Sequence, residues 1–319
     1  MLALRAYAKQ DPSRLVFEEA ATPTIGTGDV LVRVHASGVS PGELDWPGAW
    51  LEHDGSPRVP PIVPGHELAG VIEAVGSDVD GLAVGDEVFG YIDVRRDGAD
   101  AEYVAVGAHE LARTPTSLTA AEASAVPLSA LTAWQAFFDH GGLTAGQRVL
   151  VHGGAGGVGT FAVQFARWCG AHVIATSSAR DADRVRELGA DEVIDYRGTP
   201  FEQVLADVDL VLDTVGGDTW ERSWQVLAPE GRLVSIAVPR PPDRAPGDDP
   251  RETIWFVVRP DAAQLARIGE LIDAGDVRPI VSDLVPLARG GEVYGPGGRR
   301  AGPGKVVLVV DGDATTAST

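Results

Sequence analysis

The residues whose chemical purpose is plainest are six in a row, Gly154-Ala155-Gly156-Gly157-Val158-Gly159. They read G-x-G-x-x-G. The apolar run Val149-Leu150-Val151 precedes them, and Phe161-Ala162-Val163-Gln164-Phe165-Ala166, with helical periodicity, follows. A buried strand that breaks into glycines and then a helix presents unpaired amides and the positive end of a dipole, the arrangement that holds a phosphate. A Cβ in such a turn would keep the backbone away from a pyrophosphate. The chain has 39 glycines, so the match gains its weight from the strand and helix that flank it.

The next strand candidate, 172–176, helps to choose the nucleotide. It runs on as Ser177-Ser178-Ala179-Arg180. Sites for NAD place an acid about 20 residues after the glycine motif, against the ribose 2′-hydroxyl. Here no carboxylate occurs before Asp181, and hydroxyls and a guanidinium stand in its place. A guanidinium fork suits a phosphate, so the cofactor expected is NADP(H). The other reading of Arg180 is a solvated residue at a helix start.

The elements that must position these groups change in character along the chain. Up to about residue 118 the pattern is β-rich, with strand candidates Val30–Ala36, Leu68–Val75 and Glu87–Tyr91 and frequent Gly and Pro, which predicts a compact barrel-like domain. Thr119-Ala120-Ala121-Glu122 then opens an Ala-rich helix with a near capping box. Beyond it strands at 148–152, 172–176, 192–196, 209–213 and 232–237 alternate with helices at 157–168, 180–188 and 218–227. Such alternation predicts a doubly wound parallel sheet with helices on both faces. Residues 239–250 carry five prolines and read as a loop, a helix is expected at 260–274, and 305–310 reads as a last strand before a polar tail. The fold class expected is α/β, a Rossmann-type sheet plus a β-rich barrel-like domain. The boundaries read are 1–118 for the β-rich domain, 119–258 for the dinucleotide domain and 259–319 for a C-terminal segment.

Bulk properties narrow the partners. The 319 residues carry a net charge of −20, and no basic patch offsets it, so nucleic acid is not expected. No apolar run approaches the ~20 residues of a membrane span, and Met1-Leu2-Ala3-Leu4-Arg5 lacks the pattern of a signal peptide, so a cytoplasmic protein with no membrane partner is expected. Only Lys9 and Lys305 among the 26 basic residues are lysines. The one cysteine, Cys169, rules out an intramolecular disulfide and a four-Cys zinc lobe, and reads as a packed side chain on a helix.

Longer stretches resemble the medium-chain dehydrogenase/reductase superfamily, and within it the zinc-independent quinone oxidoreductase branch. They are Pro64-Gly65-His66-Glu67-Leu68-Ala69-Gly70-Val71, Val84–Gly90, Gly98–Tyr103, Leu131-Thr132-Ala133-Trp134, Leu188–Tyr196, Asp213–Gly217 and Gly304-Lys305-Val306-Val307-Leu308. The resemblance implies that the β-rich domain is GroES-like and is completed by the C-terminal segment, with the cofactor domain between. It implies a pyrophosphate held by the Gly154, Gly156, Gly157, Val158 and Gly159 loop and a 2′-phosphate held by Ser177, Ser178, Arg180 and Tyr196. Val215 falls where relatives pass the ribose, Phe256 and Val258 where they pass the nicotinamide, and Arg300 near the cofactor. Thr132 falls at the nicotinamide end. A homodimer is the assembly it suggests.

His66-Glu67 resembles what zinc alcohol dehydrogenases carry, but Ser40 stands where those relatives place a cysteine, and a hydroxyl is a poor zinc ligand. No metal is expected. The chemistry then expected is hydride transfer from NADPH to a small-molecule quinone or α,β-unsaturated carbonyl. Ser40 and Tyr91 are candidate donors to the resulting enolate, with Thr132 as a third catalytic position. Tyr91 also reads as a packed aromatic at a strand end, and Trp46 and Trp50 as either an apolar wall or ordinary packing. The alternatives are a zinc-type alcohol dehydrogenase relative and an NADPH-binding sensor or non-redox biosynthetic enzyme. Changing Arg180 to Glu is expected to raise the KM for NADPH far more than that for NADH; equal effects in steady-state kinetics would refute the NADP(H) assignment.

Overall fold

In the computed structural model, residues 1–40, 42–237, 251–294 and 302–310 are described. The chain divides into two compact units. One comprises Met1–Leu128 with Arg259–Gly275 and the residues from Pro279 onward; the other comprises Ser129–Val258 with Asp276–Arg278. The loop 239–250, Arg300 and the tail from Asp311 lie outside the described residues.

The first unit is built around the strand Asp29–Gly38. Val30, Val32 and Val34 alternate into the core, as a strand with one covered face requires. Strand Glu67–Val75 pairs antiparallel along nearly all of it, and Glu87–Tyr91 and Leu111–Arg113 continue that side of the sheet. Tyr103–Gly107 pairs with the Asp29–Arg33 half. Along the Ala36–Gly38 half the partner is Lys305–Val309, antiparallel, with Val281–Pro286 beyond it as the outer strand. The last described strand thus sits beside one of the first. Leu68, Ile72, Val88, Ile92, Val104 and Leu111 fill the core under this sheet. Leu2–Ala6 and Leu15–Glu19 form a separate antiparallel pair.

The helix Ala120–Ser124 belongs to this unit, which corrects the boundary read at 118. Its capping box is complete: the Thr119 hydroxyl accepts from the Glu122 amide, and the Glu122 carboxylate accepts from the Thr119 amide. Ala121 and Ala125 then pack on Ala36 and Val307, so burial holds the helix on the β sheet.

The second unit is a six-stranded parallel sheet in the order Glu192–Asp195, His172–Ser177, Arg148–Val151, Val208–Asp213, Leu227–Ser235, Glu252–Trp255. Numbered along the chain this is 3-2-1-4-5-6, the Rossmann order. Val149, Leu150, Val151, Val173, Ile174, Val211 and Leu212 are all fully buried, the near-continuous apolar character of strands covered on both faces. Helix Gly157–Cys169 follows the first strand and ends on Gly170, whose φ of 84° supplies the left-handed cap.

Two elements differ from the sequence reading. The helix expected at 218–227 spans Asp218–Ser223, because Leu227 is drawn into a long strand that runs to Ser235 and pairs with Val208. The helix expected at 180–188 begins as a tight 3₁₀ turn over Ala179–Asp181 and becomes α-helical only from Ala182 to Glu187. Among the described residues no helix is long and apolar enough to cross a membrane.

Trp220 is the largest fully buried side chain of this unit and packs with Trp224, Phe201, Leu205 and Val226. Trp220→Ala is expected to cost about 3–5 kcal/mol of stability, read by chemical denaturation of the second unit's transition.

Candidate active site

The glycine loop links strand Arg148–Val151 to helix Gly157–Cys169. The Gly153 amide donates to Thr176 Oγ1 at 3.1 Å and the Gly154 amide to the Thr176 carbonyl at 2.9 Å, which ties the loop to the neighbouring strand. The Gly156 amide closes a turn onto the Gly153 carbonyl at 2.9 Å. Two of the glycines are required by the protein itself. A Cβ on Gly159 would run into the Gly153 backbone, and one on Gly154 would lie 2.9 Å from Ala175 Cβ. The helix has no side-chain cap at Gly156. Its first-turn amides, those of Gly157, Val158 and Gly159, have no partner within the helix and are the groups available to a pyrophosphate.

Beneath the loop, His152 is fully buried between Thr176 Oγ1, at 3.3 Å from Nδ1, and Ser223 Oγ, at 3.0 Å from Nε2. Burial drives its pKa down to about 3, so it is a neutral structural link.

The ends of the adjacent parallel strands gather the residues read for the 2′-phosphate. Ser177 pairs in register with Asp195, and the Tyr196 amide donates to the Ser177 carbonyl at 3.2 Å. Tyr196 and Arg180 are exposed. Two features escaped the sequence reading. The Arg197 guanidinium lies over the Tyr196 ring, 5.5 Å from its centroid, so a second cation borders these positions. The Ser178 hydroxyl donates to Asp181 Oδ2 at 2.8 Å, which turns that serine toward a carboxylate. Arg197 was visible as the neighbour of Tyr196; the Ser178–Asp181 contact depends on the 3₁₀ turn and was not.

Further along the sheet, the exposed Val215 donates its amide to Asp213 Oδ1 at 3.0 Å, and the Gly216 amide does the same at 2.9 Å. The buried Asp213 therefore fixes the turn that carries Val215. Phe256 is buried beside His140, with ring centroids 4.4 Å apart, and Val258 is partly exposed. Thr132 is buried on the helix Pro127–Trp134 and belongs to this unit, whereas Ser40 and Tyr91 belong to the β unit.

In the β unit the polar residues are concentrated. Ser40 is partly exposed, and its hydroxyl receives a hydrogen bond from Lys305 Nζ at 3.4 Å. Lys305 also forms a buried ion pair with Glu67, whose other oxygen accepts the Leu128 amide at 2.9 Å. Burial pushes the Glu67 carboxyl up, and the Lys305 ammonium and the Leu128 amide pull it back. Tyr91 is only 2% exposed and opposes Glu67 in the sheet, with a phenol pKa raised by burial. Its packing fits the reading of Tyr91 as a strand-end aromatic.

His66 is buried with both ring nitrogens facing acceptors, Nδ1 2.6 Å from Glu43 Oε1 and Nε2 3.3 Å from the Arg96 carbonyl. Burial disfavours the imidazolium, but the Glu43 carboxylate outweighs it and lifts the His66 pKa above the usual value. Both ring nitrogens of His66 are thus already turned toward protein acceptors. Ser40 and Glu67 are already bonded to a lysine ammonium. Among the described residues no group of three or more His, Cys, Asp and Glu side chains is placed to hold a metal ion. This donor set does not fit a catalytic zinc.

The comparisons with known proteins agree on the family. Residues 26–116 match the model of the alcohol dehydrogenase GroES-like domain, and residues 188–308 that of the zinc-binding dehydrogenases. The chain is 33% identical to the mitochondrial NAD(P)H oxidoreductase RTN4IP1 of Danio rerio over 90% of its length and 85% of the relative's. It is 33% identical to a 2-methylene-furan-3-one reductase of Solanum lycopersicum, over 84% of its length and 68% of that protein's. Among solved structures, the quinone oxidoreductase from Coxiella burnetii superposes with a TM-score of 0.84 at 26% identity, covering 98% of this chain and 99% of that one. The chain belongs to the medium-chain dehydrogenase/reductase superfamily and is an oxidoreductase.

Asp100 offers a test of the buried network. It accepts the hydroxyls of Ser37 and Tyr294, each at 2.7 Å, while a Cβ on Gly65, whose φ is +89°, would collide with it. Burial and the nearby Glu43 charge raise its pKa to about 7. Between an unfolded value of ~3.9 and that folded value the native chain holds the extra proton, so Asp100 costs stability as pH rises through this window. Asp100→Asn is therefore expected to gain stability relative to the parent between about pH 5 and about pH 8, by up to ~3–4 kcal/mol in urea unfolding. A difference that does not change with pH would refute it.

Proposed function

We propose that the chain is an NADPH-dependent reductase that delivers hydride, without a metal, to a quinone or an α,β-unsaturated carbonyl. The observation that carries this reading is the donor set around Ser40. The hydroxyl, the carboxylate and the imidazole that could have addressed a metal are committed to Lys305 and Glu43. A site that works without a Lewis acid does not polarise an alcohol, so on this reading the acceptor is already electrophilic. The relatives named as an NAD(P)H oxidoreductase, a 2-methylene-furan-3-one reductase and a quinone oxidoreductase support the same class.

When bound, NADPH supplies a hydride from C4 of its nicotinamide. Arrival of that hydride at the β-carbon of an enone moves the double-bond pair onto the carbonyl oxygen, and a proton from water at the α-carbon completes the saturated ketone. The chain's own part is to hold and orient. The amides of Gly157, Val158 and Gly159 take the pyrophosphate, and Arg180, with Ser177, Ser178 and Tyr196, addresses the 2′-phosphate. The Asp213-fixed turn at Val215 would pass the ribose. Orientation of two reactants can supply about 7–11 kcal/mol of barrier reduction, and one donor to a developing oxyanion about 3–4 kcal/mol. Ser40 is the donor assigned here.

The test follows loss of NADPH absorbance against a panel of quinones and enones. Turnover of at least one acceptor with substoichiometric zinc in the purified protein is the expected result. Tight NADPH binding with no turnover on any acceptor would favour a sensor and overturn the reading.

A further inference from the structure

We propose that Lys305 and Glu67 are a positioning pair that orients the Ser40 hydroxyl as a donor, so that the β unit carries an oxyanion site. The proposal rests on the reductase reading for the identity of the oxyanion, the enolate of the reduced acceptor.

Hydrogen-bond capacity decides which way the Ser40 hydroxyl can turn. A serine hydroxyl has one hydrogen and two lone pairs, and a lysine ammonium has only donors. The contact from Lys305 Nζ therefore occupies a lone pair of Ser40 Oγ and leaves the hydroxyl hydrogen to point elsewhere. Ser40 donates to no protein acceptor among the described residues, and it is partly exposed, so that hydrogen is offered to whatever stands in front of the site. A cation behind the oxygen also strengthens the hydroxyl as a donor to a negative acceptor.

The surroundings hold this geometry. The Val39 amide donates to the Val306 carbonyl and the Glu43 amide to the Ser40 carbonyl, both at 2.9 Å, so the backbone on each side of Ser40 is pinned, one side to the strand that bears Lys305. Glu67 is pinned by the Leu128 amide. Gly38 lies opposite Glu67 in the sheet, and a Cβ there would come within 3.2 Å of Glu67 Oε2. That Cβ would meet the Ser124 carbonyl first, so the glycine lets the helix and Glu67 pack closely on this strand. Lys305 is one of two lysines among 26 basic residues, and it places a compact ammonium at a position only 7% exposed.

The test uses the full chain with 4-nitrophenol as an oxyanion probe, the bound phenolate being read by its colour. The variants are Ser40→Ala, the neutralised pair Lys305→Met/Glu67→Gln, which keeps an oxygen for the Leu128 amide, and all three changes together. The parent is expected to bind the phenolate in preference to the phenol. Ser40→Ala and the neutralised pair should each weaken that preference about tenfold, and the triple variant no further, the non-additivity of groups acting as one unit. With an accepted enone, the neutralised pair should lower kcat about tenfold and leave the KM for NADPH unchanged. A parent with no phenolate preference, a preference that survives Ser40→Ala, or a triple variant with fully additive losses overturns the proposal. Ser40→Ala decides the matter even if the neutralised pair does not fold. Phenolate preference in a chain that reduces no acceptor would instead sink the reductase reading and leave the oxyanion site standing.

Discussion

The β unit depends on one fastening, the buried ion pair between Glu67 and Lys305 at the seam where strand Lys305–Val309 joins strand Asp29–Gly38. Both charges are almost wholly out of water, Lys305 at 7% exposure and Glu67 at 1%. Such a pair contributes little net stability relative to an apolar contact, because each ion must be stripped of its hydration. Breaking it by removing one partner is another matter, since a lone buried charge costs about 3–5 kcal/mol. The pair forms only in the register that brings the two charges together, and any other register would leave each charge buried without its partner.

The two units solve the burial of polar groups differently. The parallel sheet keeps its interior apolar and confines polar side chains to the strand ends, where Thr176, Ser177 and Asp213 brace loops. The β unit instead runs Ser37, Glu43, His66, Glu67, Asp100 and Lys305 through its interior. Each of these has a partner within hydrogen-bond reach, the condition under which a buried polar group is tolerated.

What the sequence made legible was local. The glycine loop was legible because strand, turn and helix follow one another within about 20 residues, and the capping box at Thr119 because its two partners are three residues apart. The Lys305–Glu67 pair spans 238 residues, and nothing near either residue announces the other; the scarcity of lysine was the one available signal. The outer strand Val281–Pro286 escaped notice because Ser282, Asp283 and Pro286 give it the polarity of a loop, which an edge position allows. The helix at Asp218 was read too long because the register of Leu227 is decided by its neighbour Val208. In the β unit, Tyr91 was correctly seen at a strand end, but its burial is a tertiary fact.

The interleaving of the units along the chain also sets an order of events. The parallel sheet lies within Arg148–Trp255, so during synthesis its six strands are available before the β unit has Lys305–Val309. Domains form as units while the chain emerges. The Asp29–Gly38 strand must therefore wait, its Ala36–Gly38 edge uncovered and Glu67 without its cation, while more than half of the protein is made. Unpaired strand edges invite pairing with other chains. A carboxylate kept waiting beside that edge gives it charge during the interval and draws in the ammonium that closes the sheet.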